Sequence, residues 1–320
     1  MLLPFEYHFP DKVVSYKQLD KLLATGYFRT GNYLMRTRVL FFNNEILNTL
    51  HVRFQLSDYL FSKSLQKLLH KNKQRFTYTI QPFSITIEKE NLYRKHRTRF
   101  KGHVSPSLSG YMFDNYHSNI FNTYEINVFD GEQLVAFSFF DVGHKSIDSI
   151  LGIFNQEYEK FSLGIYTMLL EIEYAKSSER QWYYPGYVHE RPSIYDYKLR
   201  LGKPEIYDWQ TKRWLRHIDP HKLPNWADHI KNRTYALEHA LESVEISFQR
   251  KVYLFFGWHY FNSLYQQLFH CPLMLLLSDG RVIAYDVELD QYICAKLEIY
   301  VPFRDIQMTL APDFDANAHH

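Results

Sequence analysis

Four segments of the chain decide the fold: LVAFSFFDVG (134–143), SIDSILGIF (146–154), FSLGIYTMLLEIEYAK (161–176) and WYYPGY (182–187). The first alternates with a period of two, which is typical of a β-strand. Its alternate residues are then expected to share one face of the sheet: Val135, Phe137, Phe139 and Asp141. The second and fourth segments also predict strands, and the third predicts a helix over Ile165–Lys176. The order strand, strand, helix, strand indicates a mixed α+β core.

Two carboxylates in this core are candidates for chemistry. Asp141 ends a strand, and Glu171 lies on the predicted helix in a stripe with small residues. Each also has a plain structural explanation. Asp141 could initiate a turn before Val142-Gly143, and Glu171 could pair with a neighbouring cation on the helix surface.

An ordered set of short motifs follows the same stretch. Ser162-Leu163-Gly164 opens the helix, Glu171-Ile172 lies on it, and Tyr183-Tyr184-Pro185-Gly186-Tyr187 and Tyr197-Lys198 come after it. This order resembles the C-terminal domain of the aminoacyl-tRNA–protein transferases, the arginyl- and leucyl-transferases that mark protein N-termini. Upstream, LLATGYFRTGNY (22–33), SKSLQKLLHKN (62–72) and LYRKH (92–96) are similar to further segments of that family.

The sequence departs from that family in its cysteines. The family carries a Cys-x-x-Cys in its N-terminal region, where a metal or an iron–sulfur cluster is expected, whereas Arg36–Ile46 has no cysteine. The chain has only Cys271 and Cys294, which are too few for a four-cysteine site. We therefore expect no metal and no cofactor, with side chains such as Val39 packing in place of the site. The family's lysine before Tyr197 is also missing.

Composition and charge restrict the class of protein. The 320 residues are 46% hydrophobic and 22% charged, which is typical of a globular protein large enough for several subdomains. Neither a signal peptide nor an apolar run long enough to span a bilayer is visible. Two cysteines provide no disulfide framework. These features predict a cytoplasmic protein without a membrane partner, and they leave its oligomeric state open.

Basic residues are concentrated between positions 61 and 103, although the net charge is only +2. A helix over Ser57–Lys73 would align Lys63, Lys67 and Lys71 on one face, with leucines facing the core. A second basic run includes Arg94 and Lys95. A solvated surface explains most such runs. Two of them on a nearly neutral protein instead favour a polyanionic partner, and the resemblance implies that this partner is aminoacyl-tRNA.

The loop GHVSPSLSG (102–110) and the segment Lys222–Trp226 are the expected boundaries between parts of the chain. The resemblance then implies an N-terminal α/β lobe (1–102), a transferase domain (103–221) with a mixed sheet flanked by helices, and a C-terminal α+β extension of unknown role (222–320). In the extension, Thr234–Arg250 is expected to be an acidic amphipathic helix. Its expected apolar face consists of Ala236, Leu237, Ala240, Leu241 and Val244.

The family's transferase domain is similar to the GNAT acyltransferases, so acyl transfer from coenzyme A is an alternative function. Those enzymes bind the pyrophosphate with a glycine-rich loop at a helix N-terminus. Here Lys160–Tyr166 has a single glycine, which disfavours coenzyme A. A second alternative is a catalytically degenerate relative that only binds tRNA or protein.

The resemblance implies an enzyme that moves arginine or leucine from charged tRNA to the N-terminal amine of a protein or peptide. In such an enzyme Asp141 would hold the attacking ammonium, and Glu171 would recognise the amino acid or relay a proton. The expected substrate-binding residues are Ser162, Gly164, Tyr183, Tyr184, Gly186, Tyr187, Tyr197 and Lys198. Replacing Asp141 with asparagine should then reduce transfer by about 10²-fold or more, while leaving tRNA affinity and folding nearly intact.

Overall fold

The computed structural model describes residues 5–42, 45–99, 105–113, 118–218, 222–253, 271–287, 289–296 and 310–311. The chain divides into two compact units. The larger holds His8–Arg36 and Leu50–Leu223, and the smaller holds Met1–Tyr7, Thr37–Thr49 and Pro224–His320.

Helices and strands alternate along most of the described chain. The helices are α1 (Tyr16–Ala24), α2 (Lys63–Arg75), α3 (Ile87–Arg97), α4 (Leu108–Phe113), α5 (Leu163–Ser177) and α6 (Trp226–Ser243), with short 3-10 helices at Gln156–Phe161 and Asp196–Leu201. The strands up to the centre of the chain are β1 (Phe5–His8), β2 (Phe28–Thr30), β3 (Tyr33–Thr37), β4 (Val39–Phe42), β5 (Glu45–Gln55), β6 (Thr77–Pro82), β7 (Thr123–Asp130), β8 (Gln133–Val142) and β9 (Ser146–Phe154). The later strands are β10 (Trp182–His189), β11 (Glu205–Asp208), β12 (Arg213–Leu215), β13 (Phe248–Tyr253), β14 (Leu273–Leu277), β15 (Arg281–Asp286), β16 (Gln291–Lys296) and β17 (Leu310–Ala311).

The larger unit is built on one mixed sheet. Its strands follow the order β12-β11-β5-β10-β9-β8-β7-β6. The neighbours from β6 to β9 are antiparallel, and β10 is parallel to β9. A parallel neighbour requires a crossover connection, and α5 supplies it between β9 and β10. The predicted mixed sheet flanked by helices is therefore confirmed.

Apolar clusters cover both faces of this sheet. On one face, residues of α2 and α5 pack with Phe140, Val142, Ile147 and Tyr183. On the other, α3 and α4 pack against Phe137 and Phe139. The central strand β8 is buried along almost its whole length, because helices cover it on both sides.

A β-bulge changes the predicted alternation of β8. Val128 pairs with Ala136 and Phe129 pairs with Leu134, so Val135 is an extra residue between the two pairs. Val135 packs with the α5 cluster, whereas Phe137 and Phe139 pack with α3 and α4. The expectation that Val135 shares their face is therefore wrong.

The strands on the two sides of position 102 belong to the same sheet. Strand β6 precedes that position and pairs antiparallel with β7, which follows it, over Thr77–Pro82 and Tyr124–Phe129. The division of the chain into 1–102, 103–221 and 222–320 stays a prediction.

The smaller unit contains an antiparallel sheet, in the order β16-β15-β14-β13-β17, and helix α6. The helix predicted over Thr234–Arg250 is wrong at both ends, because α6 begins at Trp226 and β13 occupies Phe248–Tyr253. Its predicted apolar face is right in part. Leu241 is buried and Leu237 packs beside it, whereas Ala236, Ala240 and Val244 are exposed. The buried residues of α6 are Ala227, Ile230, Thr234, Glu238 and Leu241.

Candidate functional site

A row of polar side chains crosses the main sheet. Thr123 on β7 pairs with Asp141 on β8, Asp141 pairs with Asp148 on β9, and Asp148 pairs with Tyr184 on β10. Directly paired residues project to the same face of a sheet. The four side chains therefore form one row, and each is at most 6% exposed. Polar groups are seldom buried in the middle of a sheet, so the row needs an explanation.

Asp141 lies in a buried ion pair with Arg29 of β2. Arg29 Nη1 donates to Oδ1 at 2.8 Å and to Oδ2 at 3.1 Å, and the Thr123 hydroxyl donates to Oδ1 at 2.5 Å. Neither charged side chain of the pair is exposed. The second Arg29 nitrogen, Nη2, donates to Asn119 Oδ1 at 3.0 Å. The charge of Asp141 is thus neutralised inside the protein.

Asp148, the next carboxyl in the row, is differently placed. It is 1% exposed, and its Oδ2 has no hydrogen-bond partner among the residues that the structure describes. Burial raises the pKa of Asp148 well above its ordinary value, and the neighbouring charge of Asp141 raises it further. The backbone N–H of Arg29 and the charges of Arg29 and Lys198 oppose that rise in pKa.

Lys198 faces this row from the 3-10 helix Asp196–Leu201. Its Nζ donates to the Tyr187 carbonyl at 3.0 Å and lies 5.2 and 5.1 Å from the ring centres of Tyr187 and Tyr195. Burial lowers the pKa of Lys198 to about 7, and the charge of Asp148 opposes that change. The ammonium and neutral amine forms of Lys198 are therefore both accessible near neutral pH.

Gly186 makes room for this lysine. It has φ +88, where a side chain would be strained, and an added Cβ would lie 3.4 Å from Lys198 Nζ. The family motif around Gly186 thus has a local physical reason, since glycine allows both the turn of β10 and the close approach of Lys198.

Glu171 lies on the opposite face of the sheet. Tyr183 precedes Tyr184 on β10 and so points to the other side, where its hydroxyl donates to Glu171 Oε2 at 2.7 Å. Burial raises the pKa of Glu171 to about 7, and the hydroxyls of Ser138, Tyr183 and Ser149 oppose that rise. A proton can therefore occupy this carboxyl near neutral pH.

The structure does not bring Asp141 and Glu171 together as two facing carboxylates. Asp141 belongs to the Arg29 face, and Glu171 belongs to the α5 face. Strands β9 and β10 pair only over Trp182–Tyr184 and diverge beyond it. The residues around Asp141 and those around Glu171 approach each other at this point of divergence. Tyr197 lies at this point. It interacts electrostatically with both Glu171 and Tyr187, and it is 41% exposed.

Ser162 and Gly164 lie where α5 begins. Ser162 has φ +51 and its side chain does not cap the helix, so it joins the 3-10 helix Gln156–Phe161 to α5 through a left-handed residue. A Cβ at Gly164 would meet Phe154 at an ordinary 3.5 Å. Packing alone therefore does not require a glycine at position 164.

Tyr184, the last residue of the row, is held in place by Arg53. Its hydroxyl accepts a hydrogen bond from Arg53 at 3.2 Å, and Arg53 also pairs with Glu205 at 2.7 Å. Burial raises the pKa of Tyr184 to about 12. Tyr184 is thus a neutral, fixed member of the row.

Two of the predicted basic residues, Lys71 and Lys95, contact the 3-10 helix Gln156–Phe161. Lys63, Lys67 and Lys71 are exposed on α2, whereas Leu65 and Leu69 are buried beneath them. Lys71 Nζ lies 5.8 Å from the ring centre of Phe161. On α3, the Lys95 carbonyl accepts from Gln156 at 3.5 Å, and Arg94 pairs with Glu90 at 3.2 Å.

Three further cations lie beside Phe161 of this 3-10 helix or beside the nearby Phe154. Arg75 and Lys160 lie 5.4 and 5.3 Å from the ring centre of Phe161, and Arg99 lies 5.0 Å from that of Phe154. Phe161 directly precedes Ser162. The two basic segments, which are distant in sequence, therefore border one short stretch at the start of α5.

The cysteine-free segment Arg36–Ile46 contributes apolar side chains to the protein interior. Val39 is fully buried and Leu40 is half-buried, and the side chain of Phe41 lies outside the described residues. Within the described part of the chain, no three His, Cys, Asp or Glu side chains form a group that could hold a metal ion. Cys271 and Cys294 do not form a disulfide with each other.

Sequence reasoning missed three members of the site: Arg29, Thr123 and Asp148. Arg29 belongs to the stretch that resembles the family's N-terminal segment, but its partner is 112 positions away. Asp148 lies in a strand predicted from its apolar residues. Thr123 and Asp148 could have been found only from the register of β8 with β7 and with β9, which periodicity does not provide.

Three comparisons with known proteins bear on this site. The family model for the C terminus of arginine-tRNA-protein transferase matches residues 88–208. That range contains every residue of the row. The aspartate/glutamate leucyltransferase of Leptospira interrogans is 26% identical over 219 residues, which cover 66% of this chain and 82% of that protein. The enzyme of the same name from Campylobacter jejuni is 22% identical, over 58% of this chain and 78% of that protein.

Residues 88–208 thus match the aminoacyl-tRNA–protein transferase family, and the relatives extend that similarity to about two-thirds of the chain. The predicted resemblance is confirmed, and this assignment favours aminoacyl transfer from tRNA over acyl transfer from coenzyme A and over a non-catalytic role. Among solved structures, L-PGS from Bacillus licheniformis is 11% identical and matches 48% of this chain and 55% of its own with a TM-score of 0.36. None of the described helices is long and apolar enough to cross a membrane.

Proposed function

We propose that this transferase moves leucine from leucyl-tRNA to the α-amine of a protein or peptide that begins with aspartate or glutamate. The names of the relatives support this choice of donor and acceptor. Arginine as the donor is the second candidate, because the matching family model describes arginine-tRNA-protein transferases. We expect the enzyme to work in the cytoplasm and without a metal or a cofactor.

We place the active site at the buried row beside Lys198, where β10 diverges from β9. The buried polar row is the observation that supports this location. A strand–helix–strand unit with diverging parallel strands fits a GNAT-like core, which we infer for β9, α5 and β10. The gap between such strands gives an extended substrate access to sheet residues on both faces. The exposed part of the 3-10 helix, Tyr197 and Leu199, would then lie at the entrance.

The transfer reaction needs positioning more than strong chemical activation, since the tRNA ester is already reactive. Tyr187, Tyr195 and Tyr197 offer ring faces for the terminal adenosine or the carried side chain. In this proposal the row of polar residues contacts the reacting amine, and the pocket excludes water that would hydrolyse the ester.

Asp141 has the role of a positioning residue in this proposal. Because Arg29 and Thr123 occupy both of its oxygens, it acts by fixing β2 against β8 and by placing a negative charge beside Asp148. Glu171 faces the carried amino acid from the α5 side. Glu171→Gln is expected to change which charged tRNA is preferred, in competition assays between leucyl- and arginyl-tRNA.

The tRNA backbone is proposed to run over the basic surface of α2 and α3 towards the start of α5. Its members are Lys63, Lys67, Lys71, Arg94 and Lys95. Phosphate contacts of this kind position an RNA without reading its sequence. Ser162 and Gly164 would then lie near the acceptor end of the tRNA.

The proposed function is tested with radiolabelled leucyl- and arginyl-tRNA and a set of peptides that differ only in their first residue. Label should pass from leucyl-tRNA to peptides beginning with Asp or Glu. Equal labelling of all first residues would overturn the acceptor assignment. Transfer from acetyl-coenzyme A with none from either tRNA would overturn the proposed reaction.

A further inference from the structure

Aminoacyl transfer to an amine needs a group that binds the acceptor ammonium and removes a proton from it. At neutral pH the acceptor is an ammonium ion, which must be bound and must lose a proton before it can attack. Asp141 is unsuited to both tasks because Arg29 and Thr123 contact both of its oxygens. The requirement is for a carboxylate with a free oxygen.

Asp148 has that free oxygen in the same row. It is 1% exposed, and Oδ2 has no partner among the described residues. An unpaired carboxylate oxygen is expensive to bury. A bound ammonium would supply the missing donor, so the site is complementary to a cation.

The charged groups around Asp148 also allow a cation to bind there. Asp141 faces it from β8, Arg29 from β2, Lys198 from the 3-10 helix and the neutral Tyr184 from β10. Arg29 is already paired with Asp141. The remaining charged partner is Lys198, whose Nζ is held by the Tyr187 carbonyl at 3.0 Å and which can be a neutral amine near pH 7. An incoming ammonium therefore need not meet a second fixed positive charge.

We propose that Asp148 is a further catalytic residue, which binds the acceptor α-ammonium through Oδ2 and takes its first proton. This inference rests on the proposed function. The neutral amine nitrogen then forms a bond to the ester carbonyl carbon, and the bond from that carbon to the ribose oxygen breaks. The proton that the nitrogen loses as the amide forms goes to the ribose oxygen. Asp148 returns its own proton to solvent after the products leave.

Lys198 acts as a positioning residue for this step. In its ammonium form, Lys198 lowers the pKa of Asp148 and so opposes the effect of burial. Gly186 allows Lys198 to lie this close to β10.

The test compares two acceptors in Asp148→Asn. One is an ordinary peptide, and the other carries an N-terminal aminooxy group, which is already neutral at pH 7. Transfer to the ordinary peptide should fall by about 10²-fold or more, the usual effect of removing a positioned proton-transfer group. Transfer to the aminooxy peptide should fall by less than about tenfold. A purely structural role would reduce both equally, and that result would overturn the proposal, as would full activity with both acceptors.

Glu125→Gln is the matched control. Glu125 is a fully buried carboxyl on β7 that pairs with Lys89 at 2.6 Å outside the row, so this variant should treat both acceptors as the wild type does. If Asp148→Asn does not fold, Asp148→Ser provides the same comparison, since it also removes the carboxylate. An equal loss of transfer to the two acceptors would overturn the proposal. A wild type that transfers to neither acceptor removes the proposed function itself.

Discussion

At the scale of single residues, the pair Arg29–Asp141 is the first test of the site. We expect Asp141→Asn to lower the free energy of unfolding by about 3 kcal/mol, because it leaves the Arg29 charge buried without its counter-charge. This corrects the sequence-based expectation that the variant folds almost normally. Urea denaturation measures the loss. An unfolding free energy equal to that of the wild type would mean that Arg29 is not paired in solution.

Glu125→Gln separates stability from activity in that experiment. It breaks the buried pair Lys89–Glu125 and should destabilise the protein to a similar extent, yet it should transfer aminoacyl groups at the wild-type rate wherever it is folded. If both variants lose transfer in parallel with stability, Asp141 contributes only to folding.

Glu171 predicts a pH dependence of stability. Its pKa is raised from 4.5 to about 7 by burial, so the folded protein holds this proton more tightly than the unfolded chain. The resulting stabilisation is complete below pH 4.5 and is lost as the pH rises through 7. A shift of this size corresponds to roughly 3 kcal/mol, at 1.4 kcal/mol for each pH unit.

Glu171→Gln cannot titrate, so its unfolding free energy should lack this component. The measurement is the difference between wild type and variant in urea unfolding at pH 4.5 and at pH 7. The difference should shift by a few kcal/mol in favour of the variant at pH 7. A difference that is the same at both pH values would show that the carboxylate is charged in the folded protein.

At the scale of secondary-structure elements, α2 is expected to bind the tRNA. Replacing Lys63, Lys67 and Lys71 with glutamine should weaken tRNA binding. It should also flatten the dependence of binding on salt, because fewer phosphate contacts form and fewer counterions are released. Lys12, Lys17 and Lys203 are also exposed, and their replacement provides a control with the same change in net charge. Equal effects of the two triple variants would mean that only net charge matters.

The same scale shows what the sequence could predict. Strand β8 followed from the alternation of its residues, and α5 was predicted over Ile165–Lys176, since both signals are local. The row of Thr123, Asp141, Asp148 and Tyr184 did not follow, because it depends on the register of four strands. The bulge at Val135 was equally invisible, and the N-terminus of α6 was missed because Asn225, which caps it through the Asp228 N–H at 3.0 Å, lies in a segment that resembles a linker.

At the scale of the whole molecule, the two carboxylates that stood out in the sequence lie on opposite faces of one sheet. The candidate site is instead the buried row beside Lys198, and the basic residues of α2 and α3 border the start of α5. In the proposed function, this arrangement would combine a surface that binds an RNA backbone with a buried site that binds an ammonium ion. Both are properties that a transfer from tRNA to a protein N-terminus requires.

The central claim is that the chain joins a tRNA-borne amino acid to a protein α-amine. The most direct measurement is tandem mass spectrometry of a peptide that begins with Asp and also contains an internal lysine, after incubation with leucyl-tRNA and the enzyme. We predict a product heavier by one leucine residue, with the addition on the N-terminal amine alone. An unchanged peptide, or leucine on the lysine side chain, would contradict the claim.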